Sequence, residues 1–378
     1  MQLRLSLAAA TIISSMAAQA QDYVSVQYMQ YNESDDRTSV SAPSIMINKD
    51  FGTDYTLNVS GVIDVVSGAS ETYYLDSVSG ASAYSRGTGN SSDVKYGNVE
   101  YDDQRVAGAL LFTTRFDNRD ELVLGASRSN ESDFYSTEMS AEYMHWLGSS
   151  KNHSVSFGAS YQINEVLKKC TNTDACSGAS EAKDANALNL QASYFTNINE
   201  SSYIKASIFY ANDDGYLTNP YMNIVRDYTE GGTATVMEEN RPDSRTAYGT
   251  SLKYANAITN NTTLHLGYRY YTDDWEIDSH TIDSDLFYEL GEDWIFKLGL
   301  RYYMQSEAEF YNGAKDYFTD EIYASSDQRL SDFNAITYKT SVDYKVYEDV
   351  NLNLSVNYYD QSTGIDAIYF VTGFTYNF

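Results

Sequence analysis

Apolar and polar positions alternate with a period of two along most of this chain, the repeat of a strand wet on one face only. Near the start, Val24, Val26 and Tyr28 fall on one face, with Ser25, Gln27 and Met29 on the other. Val155, Phe157, Ala159, Tyr161 and Ile163 stand against Ser154, Ser156, Gly158, Ser160 and Gln162. Later, Trp294, Phe296, Leu298, Leu300 and Tyr302 oppose Lys297 and Arg301. Continued from Gln21, the pattern predicts about 16 amphipathic strands. The second runs roughly Thr38–Asn48, and the twelfth lies near Ser279–Leu290.

Connection lengths sort into two classes. Short turns are expected at Asp50–Thr53, Asp117–Asp120, Gly148–Asn152, Asn197–Glu200, Thr259–Asn261, Gly291–Asp293 and Glu348–Val350. Long polar stretches are expected near Ser67–Asp103, Leu167–Asp184, Asn212–Asp243 and Ser306–Ser331. With the N-terminus in the periplasm, all the short turns fall on the periplasmic side and all the long ones outside. An even strand number with that asymmetry predicts an all-β fold, a closed antiparallel transmembrane barrel. The competing fold is a secreted soluble β-protein, which needs a second sheet or helices over the apolar face.

The final stretch, AIYFVTGFTYNF, puts Ile368, Phe370, Phe374, Tyr376 and Phe378 on one face. An aromatic strand at a free sheet edge invites pairing with other chains, whereas in a closed barrel it pairs with the first strand. The spacing of Gly373, Tyr376 and Phe378 resembles the C-terminal signal that the barrel assembly machinery recognises during insertion into the outer membrane. At the other end, Arg4, an apolar run from Leu5 to Ile13 and Ala18-Gln19-Ala20 predict a signal peptide over residues 1–20. Residues 21–378 are then one barrel domain. No other stretch approaches the ~18 apolar residues of a membrane helix.

Composition supports this picture. The chain of 378 residues holds 36 Tyr and only 3 Pro, and aromatic girdles mark both interfaces of a membrane barrel. The net charge of −28 argues against nucleic acid as a partner and leaves outer-membrane lipid and lipopolysaccharide as the surroundings. Cys170 and Cys176 favour a disulfide closing a small loop. A metal site needs more ligands, and no cofactor motif is present.

Parity assigns a set of charges to the lumen: Arg105, Arg115, Lys205, Arg245, Lys253, His265, Arg269, Lys297, Arg301, Lys339 and Lys345, with Asp64 and Asp343 among the acids. The loops are acidic instead. Asn212–Asp243 carries Asp213, Asp214, Asp227, Glu230, Glu238, Glu239 and Asp243 against Arg226 and Arg241. Ser306–Ser331 carries Glu307, Glu309, Asp316, Asp320, Glu321 and Asp327 against Lys315 and Arg329. Charge rings of this kind set selectivity in pores. The same charges also suit a plugged, structural barrel, and acidic loops suit divalent cations bound together with lipopolysaccharide.

One constellation invites a catalytic reading. Asp278, His280, Asp283 and Asp285 lie at the predicted outer rim, where an Asp–His pair and an acidic pair activate water in a hydrolase of the omptin type. Parity puts His280 on the face opposite Asp283 and Asp285, so solvated rim carboxylates are the expected reading. His145 and His153 flank a turn, and no second lumenal histidine lies beside His265 in sequence.

The stretches YNESDDR at Tyr31–Arg37, NKDFG at Asn48–Gly52, Asp64 through SGAS at Ser67–Ser70, and Asp103-Gln104-Arg105-Val106 resemble a family of bacterial outer-membrane proteins known as a domain of unknown function, DUF3570. Where family members tend to carry Pro after SGAS, this chain has Glu71. The resemblance implies a barrel and supplies no catalytic residue. It also implies an envelope redox setting, because members sit beside a flavin transferase that modifies exported proteins. The expected function is therefore a porin-like conduit or envelope scaffold without catalysis. The alternative is a barrel that binds a periplasmic redox or flavin-dependent partner.

Overall fold

In the computed structural model the alternation becomes a closed ring of sixteen antiparallel strands. The structure describes residues 22–75, 89–91, 94–169, 180–226, 234–313 and 321–378. Residues 1–20, where a signal peptide is expected, and both cysteines lie outside the described residues. The first part of the chain forms β1 (Tyr23–Glu33), β2 (Thr38–Phe51), β3 (Tyr55–Leu75), the short β4 (Gly89–Ser91), β5 (Val94–Arg115), β6 (Glu121–Asn130) and β7 (Phe134–Leu147). Next come β8 (His153–Lys169), β9 (Ser180–Asn199), β10 (Ser202–Gly215), β11 (Asn223–Arg226), β12 (Ala234–Glu238) and β13 (Ser244–Thr259). The chain finishes with β14 (Thr262–Asp273), β15 (Asp278–Leu290), β16 (Trp294–Gln305), β17 (Phe333–Tyr347), β18 (Val350–Gln361) and β19 (Ile365–Asn377). All but β4, β11 and β12 belong to the ring.

Closure is made by β1 against β19, from Tyr23 opposite Asn377 to Glu33 opposite Ala367. Phe378 N–H donates to the Asp22 carbonyl at 2.9 Å, and the Thr375 hydroxyl donates to Ser25 at 2.9 Å. Closure leaves no open edge, so every ladder group can pair without water, as a bilayer demands.

The two faces separate as parity predicts. Val26, Ile45, Leu110, Phe157, Ile208, Leu298, Leu352 and Phe374 are exposed on the outside. Phe157 is 63% exposed and Leu298 60%; an apolar belt of that extent is lipid-facing surface, not the patch of a soluble monomer. Among the described residues no second sheet or helix covers it. The barrel lies in the outer membrane. The tight turns lie where short connections are expected; Gly291 takes φ +67 in one of them, a conformation that side chains disfavour.

The long connections differ from expectation. Ser67–Asp103 contains much more strand than predicted: β3 and β5 stay paired out to Leu75 opposite Val94. Likewise β8 and β9 stay paired out to Lys169 opposite Ser180. Beyond the lipid neither strand face has to stay apolar throughout, so the period-two apolar signal fades although the ladder continues. Asn212–Asp243 also folds: β11 pairs with β12, and β12 with β4.

Candidate functional site: the lumen and its lid

Three long connections leave the ring at well-separated points, between β3 and β5, between β10 and β13, and between β16 and β17. They meet over the outer mouth. Asn223 N–H donates to the Thr72 hydroxyl at 2.8 Å, and Asn223 Nδ2 to the Tyr73 carbonyl at 2.8 Å. Asn240 and Ala324 exchange backbone hydrogen bonds at 3.0 and 2.8 Å. Gln328 Nε2 reaches the Tyr96 hydroxyl at 3.3 Å, and Arg37 Nη2 reaches Gln328 at 3.3 Å. Such contacts form only if the loops cross the opening.

Apolar packing fixes the lid. Tyr73, Val225, Ala234 and Val236 form one buried cluster. Trp275, Ile277, Ala308, Phe310 and Leu330 form another, with Leu217 and Tyr271 against it. Trp275 and Phe310 meet edge to face at 5.0 Å. Between the loops lies an ion network. Arg241 Nε contacts Glu239 at 2.5 Å, and Arg241 Nη2 contacts Asp327 at 2.7 Å. Arg329 caps Asp327 from the other side. Glu239 further accepts from Asn219 N–H at 2.7 Å and from the Ser325 hydroxyl.

Glu239 and Asp327 are thus not part of a solvated acidic mouth, the environment their composition suggests; they are 3% and 2% exposed. Burial pushes the Glu239 carboxyl up against the pull of Arg241. Burial also acts to raise Asp327, but Arg329 and Arg241 outweigh it and hold that carboxyl below its usual range.

Below the lid, the lumen contains a cavity of about 580 Å³. Small polar side chains line it from opposite walls, among them Ser25, Ser60, Ser129, Asn164, Ser341 and Asn353. Arg105, Asp64, Lys297 and Lys339 lie in the same lining. A ring of this strand number leaves an aqueous space that side chains do not fill.

The predicted lumenal charges divide into paired and unpaired. Arg105 pairs with Asp64, and Arg245 with Asp273 at 2.5 Å. Arg115 reaches Thr56 at 2.8 Å and Glu121 at 3.8 Å. On β15 to β17 a ladder forms. Asp283 takes Arg301 at 2.8 Å and Lys339 at 3.1 Å; Asp285 takes Lys339 at 3.0 Å and Lys297 at 3.4 Å. Gly299 sits between Asp285 and Lys339, where a Cβ would collide with both side chains. Asp343 accepts from Asn353 at 2.7 Å.

Among the described residues Lys205, Lys253, Arg269 and Lys345 make no ion pair. Lys205 and Lys253 are register partners on β10 and β13. The Arg269 guanidinium lies 4.8 Å over the Phe209 ring, and the His265 ring lies 4.9 Å from Phe287.

The four rim residues are not brought together. His280 Nδ1 meets the Tyr268 hydroxyl at 2.8 Å, and Asp278 accepts from the Tyr270 hydroxyl at 2.8 Å. Tyr268 is exposed on the lipid side, whereas Asp283 and Asp285 belong to the ladder inside. At the chain end, Tyr376 and Phe378 stack at 6.1 Å on the outer face, Lys49 Nζ sits 5.4 Å over the Phe378 ring, and Gly373 lies opposite Gln27.

Two groups escaped the sequence reading. Asp273, the partner of Arg245, looked like one more acid at a polar turn. Phe209, on the inner face of β10, gave no sign that a cation rests on it. Contiguous Asp273-Asp274-Trp275 at a strand end was the available signal for the first.

The fold can be set beside solved structures. A mutant of the ferric enterobactin receptor from Pseudomonas aeruginosa aligns at 12% identity over 91% of this chain and 54% of its own, with a TM-score of 0.46. This chain therefore spans about half that receptor's length. A monoaromatic hydrocarbon channel aligns at 10% identity over 99% of this chain and 92% of its own, TM-score 0.45. A loop-deletion mutant of an outer membrane protein of Vibrio cholerae aligns at 12% identity over 94% and 98%, TM-score 0.41. No curated protein matches the sequence. A family described as protein of unknown function, DUF3570, matches residues 3–373, and the chain belongs to that family.

Proposed function

We propose that this barrel is a conduit for small polar solutes, favouring anions, whose outer mouth is covered by a lid of its own loops. One observation carries the reading: a hydrated-size cavity of about 580 Å³ lies inside the ring, lined by small polar groups from opposite walls. A structural barrel needs no such space. The preference for anions is placed on one sector of the wall, β10, β13 and β14. On β15 to β17, Asp283 and Asp285 pair with Arg301, Lys339 and Lys297, while Lys205, Lys253, Arg269 and Lys345 make no ion pair among the described residues. Among the described residues Glu138 and Glu142 on β7 and Asp343 on β17 make no ion pair either. Unbalanced charge on a pore wall sets its selectivity. The reading assigns no reaction to the chain, because Asp278 and His280 face away from Asp283 and Asp285.

The test is conductance of the purified protein in planar bilayers, alone and as Arg241→Ala, which loosens the lid. Discrete current steps, with a reversal potential in a salt gradient that favours anions, are the expected result. No current in any salt from either protein overturns the proposal.

A further inference from the structure

A second cavity, of about 420 Å³, lies between the wall of β13 to β16 and the underside of the lid. Its lining includes Asn219, Arg269, Tyr271, Trp275 and Tyr303. That volume is within the usual range of small-molecule sites. From these features we infer that it is a recognition site for a small planar carboxylate, with Arg269 as the cation that receives it. The inference deepens the conduit reading and rests on it for the ligand's route.

Charge balance singles out Arg269. Three other guanidinium groups reach this cavity, and each has a carboxylate: Arg241 has Glu239 and Asp327, Arg329 has Asp327, and Arg245 has Asp273. Asp213, also in the lining, is opposite Arg245 in register and is itself engaged. Arg269 alone of the four has no ion-pair partner among the described residues. Its guanidinium carbon lies 4.8 Å over the Phe209 ring, a contact to the ring face that takes up none of its N–H groups in an ion pair. A planar guanidinium matches a carboxylate with two parallel hydrogen bonds.

A second group points the same way. Asn219 is 7% exposed, and its Nδ2 has no protein acceptor. Its orientation is set, because Oδ1 accepts from Tyr221 N–H at 3.1 Å. A buried donor left unmatched costs stability, and an anion in the cavity would supply the acceptor. Tyr271, Trp275 and Tyr303 give the remainder of the ligand aromatic neighbours in the lining, with Arg245 lying over the first two rings. One unbalanced cation beside aromatic surface selects a planar body carrying one negative charge over a compact multivalent anion.

The experiment uses the full-length protein in detergent, with benzoate as probe, benzamide as its neutral isostere and inorganic phosphate as the compact anion. Trp275 lies in the lining, so quenching of tryptophan fluorescence reports occupancy, and calorimetry checks it. Saturable benzoate binding is expected, with benzamide and phosphate each weaker by about tenfold or more. Arg269→Gln is expected to weaken benzoate by about tenfold while leaving benzamide unchanged. Equal binding of benzoate and benzamide to the unmodified protein overturns the inference, and this comparison needs no variant to fold. Unchanged benzoate affinity in folded Arg269→Gln overturns it as well. Bilayer conductance separates the two readings. Current without selective benzoate binding removes the site and keeps the conduit; selective binding without current does the reverse.

Discussion

Arg241 and Asp327 are 86 residues apart in sequence and belong to different loops, yet their side chains meet at 2.7 Å over the mouth of the barrel. Neither loop could hold this position alone. Arg241→Ala leaves Glu239 and Asp327 buried without their shared cation, at a cost of about 3 kcal/mol or more. The expected outcome is local: trypsin or chymotrypsin cleaves the loops readily, while the heat-shifted gel mobility of the folded barrel persists. Simultaneous loss of the folded band would mean that the lid and the ring unfold together.

Acidity acts on the same network, and its two acids respond in opposite senses. The folded-state pKa of Asp327 lies below its unfolded value, so its contribution is present above about pH 3.9 and is lost as pH falls below that. Glu239 is raised, so its contribution is full below its unfolded value and fades as pH rises through the folded one. Loop protection measured by hydrogen exchange across the acid range should therefore show two arms. Asp327→Asn removes the acid-side loss, and Glu239→Gln removes the loss on the rising side. A profile unchanged by either substitution refutes the assignment.

Selectivity should respond to the unbalanced cations on the wall. Lys205 and Lys253 face each other in register on β10 and β13. Changing both to Gln is expected to lower the anion-to-cation permeability ratio about two- to threefold. Lys339 offers a contrast, because it bridges Asp283 and Asp285. Each carboxylate keeps another cation, Arg301 or Lys297, so Lys339→Gln alone should shift the reversal potential toward cations by less than the double substitution does.

At the periplasmic rim Asp120 ties a turn to β7. Its carboxylate accepts from the Tyr143 hydroxyl at 2.6 Å, His145 Nδ1 at 2.8 Å, Trp146 N–H at 3.1 Å and Asn118 Nδ2 at 2.7 Å. Burial acts to raise its pKa, but these donors hold it below the usual range. Asp120→Ala should lower the guanidinium midpoint of the refolded barrel. The deficit should shrink below about pH 4, where the native carboxyl begins to lose its own contribution.

Removal of Phe378 should reduce insertion severalfold and leave the protein that does assemble with native conductance. The residue bonds to Asp22 through its N–H, stacks on Tyr376 and meets Lys49, all at the rim and away from the lumen. The amount of folded protein in outer-membrane fractions, set against single-channel current, checks this.

The ring was legible because lipid writes it into the chain. Leu298 and Leu300 must be apolar and Lys297 and Arg301 need not be, so parity alone placed these residues, and it placed His280 away from Asp283 in the same way. Legibility ended where lipid ends. Thr72 and Tyr73 are strand residues buried under the lid, but no alternation marks them, since their covering comes from Asn223 and Val225 far along the chain. The lid was beyond reach for the same reason. Glu239, Arg241, Asp327 and Arg329 could be counted from sequence as mouth charges; nothing local says that they neutralise one another in a dry core. Nor does any local pattern say that Arg269 would be left over.

The seam between β1 and β19 joins Ser25 to Thr375 across 350 residues of chain. Pairing at that separation pays the full entropy of loop closure before it gains a single ladder bond. Until it forms, the growing sheet has two raw edges, at the first strand and at whichever strand was added last. A nascent chain in lipid is therefore at its most vulnerable one strand short of completion, and whatever escorts it must shield both edges at once. A translation product that stopped at Gln361 would not be a smaller pore. It would be a curved, sticky sheet, and its clearance would fall to envelope proteases.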